Sequence, residues 1–194
     1  NNSAFACRVL SSSGTDIYSS IAAAVGSLKG PLHGGANAKV MEMFRYVKEN
    51  VNPKDDGSIR DYLAKLLNKE AGDHSGKIYG LGHAVYTISD PRAVLLKKYA
   101  KHMAEIKGYA EDFQLLEKIE EMGIPMIQAK TGSEIPMCAN VDMYSGFVYK
   151  MLGLPKSLYT PLFATARIVG WMAHRLEEVT TGGKIIRPAY RYVG

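Results

Sequence analysis

Three residues of this sequence have side chains that could carry out acid–base chemistry on a carbonyl compound: His33, His83 and Asp142. His33 lies in the segment GPLHGGAN at 30–37 and His83 in the segment GLGH at 80–83, where glycines let the backbone turn sharply and a ligand come close. Asp142 begins the apolar part of NVDMYSG at 140–146. A neutral imidazole N–H can polarise a carbonyl group, and a carboxylate can act as a general base.

Each of these residues also has a purely structural interpretation. His33 and His83 could be turn and loop histidines with satisfied hydrogen bonds, and Asp142 could be a helix N-cap. A helix N-terminus close to His33 would disfavour its protonation and favour the neutral imidazole.

Three arginines are candidates for binding carboxylates. Arg92 follows Asp90-Pro91, a strong helix start, and a guanidinium beside free N–H groups suits a carboxylate or phosphate. Arg167 is the only charged residue of 161–173, so its burial would require a paired or bound anion. Arg187 lies in the extended segment IIRP. Each arginine also has a structural alternative. Arg92 could be an exposed first-turn arginine, Arg167 could pair with an acid from elsewhere in the fold, and Arg187 could be a surface arginine.

The elements that must position these residues are helical. Hydrophobic spacing, caps and stops predict an all-α fold with these helices: 37–50 opened by Asn37, one capped by Asp16 and ending at Lys29, Pro91–Lys107, Asp112–Gly123, and Pro161 to about Val179. The segment 161–173 is apolar almost all round, which predicts a buried helix. Segment 146–152 could be a short strand or the tail of a helix, and 50–58 reads as a surface loop.

Composition excludes several classes of protein. The net charge of +5 is mild and the basic residues are spread along the chain, which does not indicate a nucleic-acid binder. No apolar run approaches the ~20 residues of a membrane span. The remaining histidines have no ligand-type neighbours at metal spacing, so no metal site is predicted. Two cysteines, Cys7 and Cys138, indicate reduced thiols in a cytoplasmic protein.

Taken in order, five segments resemble the citrate synthase family: GPLHGGAN (30–37), GLGHAVYTISDPRA (80–93), NVDMYSG (140–146), TPLFATARIVGWMAH (160–174) and IIRP (185–188). The resemblance implies the helical citrate synthase fold and the condensation of acetyl-CoA with oxaloacetate and water to citrate and CoA, a step of the tricarboxylic acid cycle. It also implies acetyl-CoA as cosubstrate, no permanently bound cofactor, and a homodimer or higher homo-oligomer.

The resemblance also implies roles for the site residues. His33 matches the histidine that hydrogen-bonds the thioester carbonyl, Asp142 the base that deprotonates the acetyl methyl, and His83 the histidine that polarises the oxaloacetate keto group. The arginines match those that hold substrate carboxylates, the last of them across the dimer: Arg92, Arg167 and Arg187. The loop that contains Leu81, Gly82 and His83 matches the segment around the coenzyme A adenine.

In the family, residues 36–150 would form the small domain, and 1–35 with 151–194 part of the large domain. The family's N-terminal helices and one further substrate-binding histidine would precede Asn1, so the chain is expected to be a C-terminal fragment. Three alternatives remain: 2-methylcitrate synthase, which shares the motifs and uses propionyl-CoA; a non-catalytic helical module that keeps the fold; and, as a distant third, a nucleic-acid module.

Overall fold

The chain folds into α-helices joined by loops, as a computed structural model that describes residues 1–193 shows. Its helices in chain order are α1 (Asn2–Ser12), α2 (Ile17–Lys29), α3 (Ala36–Asn50), α4 (Asp56–Leu67), α5 (Pro91–Lys107), α6 (Ala110–Thr131), α7 (Val141–Met151), a 3-10 turn (Lys156–Leu158) and α8 (Tyr159–Thr180). Within the described residues, extended pairing is limited to one isolated antiparallel bridge, Leu81 with Ala139. The all-α prediction is confirmed.

Two predicted helices begin and end where their capping residues place them. Asp16 caps α2 by accepting the Ser19 N–H at 2.9 Å. Asp90 caps α5, Pro91 takes its first position, and Gly108 ends it with a φ of 76°, a conformation that favours glycine. These ends depend on local hydrogen bonds, which is why sequence alone locates them.

Other boundaries differ from the predictions because tertiary packing overrides the local signals. Asn37 lies inside the first turn of α3 with a buried side chain, so it does not open the helix. α6 continues through Gly123 and Pro125 to Thr131. Gly123 faces Leu81, whose Cδ1 would lie 2.7 Å from an added Cβ, so this glycine serves close packing rather than helix termination. Segment 146–152 belongs to α7, apart from its last residue.

The chain divides into two compact units. One, the terminal unit, comprises residues 1–35 and the chain from Thr160; the other, the middle unit, is Ala36–Tyr159. Residues 151–159, assigned from sequence to the C-terminal segment, lie in the middle unit, where Met151 and Tyr159 are buried. That these units are the family's large and small domains stays a prediction.

The terminal unit packs α1, α2 and α8 around a small core of Cys7, Ala24, Leu28 and Trp171. The prediction of a buried 161–173 helix is wrong within this chain. Trp171 is buried, but Val169 on α8 is 72% exposed. Each of the three helices buries one face against the other two, and the remaining apolar side chains of α8 stay exposed.

The middle unit packs α3 to α7 around an aromatic centre. Phe147 of α7 makes ring contacts with Phe44, Tyr109 and Phe113, at centroid distances of 6.1 to 6.4 Å. At the edge of this core the buried carboxylate of Asp112 is paired with Lys48 and Lys150. This unit holds α5 and α7, the two helices that carry Arg92 and Asp142.

Close packing of α7 on α3 depends on Gly146. A Cβ there would lie 2.7 Å from Met41 Cγ and 3.1 Å from the Asn37 carbonyl oxygen. We expect Gly146→Ala to destabilise the protein by about 1–3 kcal/mol through overpacking, measured by denaturant unfolding. Gly123→Ala is the matched control, because the Leu81 side-chain end can rotate away; equal losses in the two variants would contradict this account.

Candidate active site

In the terminal unit, His33 lies in the turn between α2 and α3, half-buried. Its Nε2 accepts the Ser3 N–H at 3.3 Å and lies 3.0 Å from Ser3 Oγ and 3.4 Å from Arg167 Nη1. A backbone N–H can only donate, so Nε2 is the acceptor, and the hydrogen of the neutral ring is assigned to Nδ1 from this network. The structure therefore holds His33 with Nδ1–H as its donor.

Arg167 is half-buried and its guanidinium lies over the Phe163 ring, 4.3 Å from the centroid. The structure brings it together with His33, which sequence spacing could not show. Burial, and then the charge of Arg167, lower the pKa of His33. The direction agrees with the sequence-based expectation, but the main causes are desolvation and the arginine rather than a helix terminus.

The lowered pKa of His33 has a consequence for stability. Unfolded, the imidazole has a pKa of about 6.5. Above that pH it is neutral in both states; below it, the unfolded chain binds a proton that the folded chain resists, so stability falls as pH falls. We expect the NMR titration midpoint of His33 to lie below pH 6.5. The contribution of His33 to the pH dependence of the free energy of unfolding should vanish in His33→Asn. A midpoint at or above 6.5 would contradict the burial beside Arg167.

Ser3 is a residue of this site that the sequence analysis missed. It is fully buried, and its Oγ accepts the Trp171 Nε1–H at 3.3 Å and lies 2.8 Å from Asn1 Oδ1. Its contacts with His33 join positions 30 residues apart, and a buried serine on a helix carries no signal of its own. Ser3 holds the imidazole ring in place.

In the middle unit, His83 is fixed in the other tautomer. Its Nδ1 accepts the backbone N–H groups of Val85 at 2.9 Å and Tyr86 at 3.1 Å. The hydrogen of the neutral ring is therefore assigned to Nε2. The ring also lies against that of Tyr86, with centroids 4.7 Å apart. His83 is held as an Nε2–H donor by its own loop.

The loop 80–83 is tied to the segment that precedes Asp142. Gly82 N–H donates to the Cys138 carbonyl at 2.8 Å, and Asn140 N–H donates to the Gly80 carbonyl at 2.9 Å. Gly80 has a φ of 88°, and its Cα lies so close to Met143 that a Cβ would be 2.8 Å from the sulfur. This pairing brings His83 close to the start of α7.

Asp142 is the second residue of α7 and is not its cap. The cap is Asn140, whose Oδ1 accepts the Asp142 N–H at 2.9 Å. The structural interpretation of Asp142 as an N-cap is therefore wrong, and its half-buried carboxylate is not explained by helix capping.

Arg92 has an intramolecular partner. Its guanidinium donates to both carboxylate oxygens of Asp90, at 2.8 and 3.0 Å, and lies 5.8 Å from the Tyr86 ring centroid. The hydrogen bond to Asp90 is the main cause of the raised pKa of Arg92, and the charge of Asp142 adds to it. His83, Arg92 and Asp142 thus form one group in the middle unit. Arg187 belongs to neither group: it lies exposed in the segment after α8.

A cavity of about 480 Å³ opens beside the loop 80–83 in the middle unit. Apolar side chains of Ile78, Leu81 and Ile127 line it, together with Lys77 and Lys130. Of the three loop residues predicted to bind coenzyme A, Leu81 lines this cavity, whereas Gly82 and His83 do not. An apolar cavity lined by two lysines suits a ligand with an apolar body and an anionic group, although the Lys130 Nζ also donates to the Leu67 carbonyl oxygen and to Asn68 Oδ1. Among residues 1–193, no cluster of metal-ligating side chains occurs.

The described fold is all-helical, and it carries two groups of polar side chains: His33 with Arg167, and His83 with Arg92 and Asp142. The family model "Citrate synthase, C-terminal domain" matches residues 1–189. The chain belongs to the citrate synthase family.

Curated relatives match the chain along its whole length. It is 39% identical to citrate synthase of Synechocystis sp., 41% identical to citrate synthase 2 of Bacillus subtilis and 35% identical to 2-methylcitrate synthase of Shewanella oneidensis. Each alignment covers 100% of this chain but 45%, 47% and 46% of the relative. The chain spans about half the length of the curated relatives it matches.

Solved structures of citrate synthases also match the whole length of the chain. Citrate synthase of Thermotoga maritima superposes with a TM-score of 0.78 at 40% identity, over 100% of this chain and 48% of that one. Citrate synthase of Thermoplasma acidophilum, solved as a ternary complex with carboxymethyl coenzyme A and oxaloacetate, superposes with a TM-score of 0.79 at 34% identity, with the same coverage. In residues 1–193, no helix has the length and apolar character to cross a membrane.

Proposed function

We propose that the protein carrying this chain is a citrate synthase, which condenses acetyl-CoA with oxaloacetate and water to give citrate and CoA in the tricarboxylic acid cycle. The observation that carries the proposal is that backbone N–H groups engage one ring nitrogen of each histidine and leave the other as the donor. Ser3 and Arg167 leave His33 with Nδ1–H as its donor, and the loop amides leave His83 with Nε2–H. Each ring then presents one N–H donor suited to a carbonyl oxygen.

The first step is removal of a methyl proton from acetyl-CoA. Asp142 takes the proton, and His33 Nδ1–H donates to the thioester oxygen where negative charge develops. A thioester methyl is a very weak acid, so the carboxylate needs this donor. One such donor is worth roughly 3–4 kcal/mol in measured cases.

The second step forms the carbon–carbon bond. The enol carbon attacks the keto carbon of oxaloacetate, whose oxygen is polarised by His83 Nε2–H. That oxygen becomes the hydroxyl of citryl-CoA, and the proton it gains balances the one that Asp142 took from the acetyl methyl. Arg92, Arg167 and Arg187 hold the carboxylates and so orient the electrophile. Water then attacks the thioester carbonyl, the carbon–sulfur bond breaks, and citrate and CoA leave.

Acetyl-CoA is a cosubstrate in this proposal, and the loop Leu81, Gly82 and His83 holds its nucleotide end. Support comes from the cavity beside Leu81, where Lys77 and Lys130 offer charge to phosphates. The Thermoplasma acidophilum relative was solved with a coenzyme A derivative and oxaloacetate together.

We also propose a homodimer or higher homo-oligomer formed through the terminal unit, with Arg187 serving the partner's site. The apolar faces of α2 and α8 support it: Tyr18 is 83% exposed and Val169 72%. Large contiguous apolar patches are typical of interfaces. The free, buried thiols of Cys7 and Cys138 support a cytoplasmic location.

The second candidate is 2-methylcitrate synthase, favoured by the 35% identity to the Shewanella oneidensis protein. The full-length protein should be given oxaloacetate with equal acetyl-CoA and propionyl-CoA, and the products identified by mass spectrometry. Citrate in excess supports the first proposal; 2-methylcitrate in excess supports the second. Discrimination of about 10–200-fold is expected from one methylene. A protein inert with both would favour the non-catalytic interpretation.

A further inference from the structure

Asn140 uses both ends of its side-chain amide. Its Oδ1 accepts the Asp142 N–H at 2.9 Å and its Nδ2 donates to the Gly82 carbonyl, also at 2.9 Å. The orientation of the amide is unambiguous, because a backbone N–H can only donate and a carbonyl oxygen can only accept. One planar group therefore joins two backbone segments 58 residues apart.

The two peptide groups that Asn140 contacts are those that carry the proposed catalytic residues. The Gly82 carbonyl belongs to the peptide bond that leads into His83, and Gly82 has a φ of 86°, a conformation that favours glycine. The Asp142 N–H belongs to the peptide bond that leads into Asp142. One planar amide thus restrains both peptide groups, in addition to the backbone hydrogen bonds that join Gly82 to Cys138 and Asn140 to Gly80.

We infer that Asn140 is a positioning residue that holds His83 in register with Asp142. The inference rests on the proposed function, because it concerns two residues of that site. Helix capping alone would explain only the Oδ1 contact; the Nδ2 contact to Gly82 does nothing for α7. The donor half of the amide is thus the part that acts on the site.

Asn140→Ser separates the two contacts. Serine is a good N-cap and can still accept the Asp142 N–H, but it is too short to reach the Gly82 carbonyl. In the full-length protein, we expect kcat with acetyl-CoA and oxaloacetate to fall about 10–100-fold, since a misplacement near 1 Å can cost ~10²-fold. The melting temperature should change little.

Asn52→Ser is the matched control. Asn52 lies in an exposed loop of the same unit, where its Oδ1 accepts the Lys54 N–H at 3.1 Å. The substitution is chemically the same but lies away from the loop 80–83, so kcat should stay at the parent value. Asn140→Asp provides a second test, because it keeps the Oδ1 cap and turns the donor into an acceptor that repels the Gly82 carbonyl.

A double-mutant cycle with His83→Ala decides whether Asn140 acts through His83. In the His83→Ala background we expect Asn140→Ser to lower kcat by less than about 2-fold, because the contribution of His83 that Asn140 supports is already lost. The same fold-loss in both backgrounds, or no loss in the parent, would overturn the inference. A parent protein inert with both acyl-CoA substrates would instead overturn the proposed function.

Discussion

Asp142→Asn is expected to lower turnover by at least about 10²–10⁴-fold, the contribution of a positioned general base. The amide is nearly the same size as the carboxylate but cannot take the methyl proton. The measurement is kcat for CoA release from acetyl-CoA and oxaloacetate, together with exchange of the acetyl methyl protons with solvent. Both rates should fall, because both depend on the same deprotonation.

The control for Asp142→Asn is the stability of the variant. The cap of α7 is Asn140, so the substitution does not remove the hydrogen bond that caps the helix. Asp142→Asn removes a first-turn charge, which is worth about 0.3–1 kcal/mol beside the helix dipole, and with it the attraction between Asp142 and Arg92. Glu111→Gln removes a comparable first-turn charge from α6, away from the site, and should leave turnover unchanged. If Asp142→Asn kept its turnover, the assignment of the base would be wrong.

His33→Ala is the second large loss that we expect, about 10²–10³-fold in kcat, the effect of removing one oxyanion donor. The structure gives the reason: contacts to Ser3 and Arg167 hold Nε2 as an acceptor, so Nδ1–H is the donor that the alanine removes. Proton exchange of the acetyl methyl should fall with kcat, because the donor acts on the enol step. The affinity for oxaloacetate should change less.

His102→Ala is the matched control for His33→Ala, since His102 lies exposed on α5 and outside both groups of site residues. Its kcat should equal that of the parent. A His33→Ala protein that kept its proton exchange but lost condensation would move His33 from the thioester to the oxaloacetate side of the reaction.

The fold was predictable where a helix end is set by neighbouring residues. Asp16 and Asp90 cap helices through hydrogen bonds within three positions, so their effect is visible in the sequence. α4 was missed because its cap, Asp55, lies in a run of polar and glycine residues that reads as loop. α1 was missed as well. α6 extends past Gly123 because that glycine is there for close packing against Leu81, a residue far away in the chain, and does not end the helix.

The site was predictable in its residue types but not in its supporting contacts. Histidines flanked by glycine, and an arginine at a helix start, can be recognised from the sequence. Ser3 and Asn140 hold the two histidines in place through contacts that span 30 and 58 positions, which no local pattern encodes. The catalytic and binding roles themselves stay predictions.

Burial of α8 was the clearest failure of sequence reasoning, and its cause is general. An apolar helix is buried somewhere, but its composition does not say whether its own chain covers it. Here Trp171 faces the core of the terminal unit while Val169 and Leu176 remain exposed. The same pattern is equally compatible with a core helix and with an interface helix.

The most direct test is the rate of CoA release from acetyl-CoA by the full-length protein, with and without oxaloacetate. We predict rapid release only when both substrates are present, with one citrate formed for each CoA, and loss of that release in Asp142→Asn. No release with either acetyl- or propionyl-CoA, or release that does not depend on oxaloacetate, would contradict the proposed condensation.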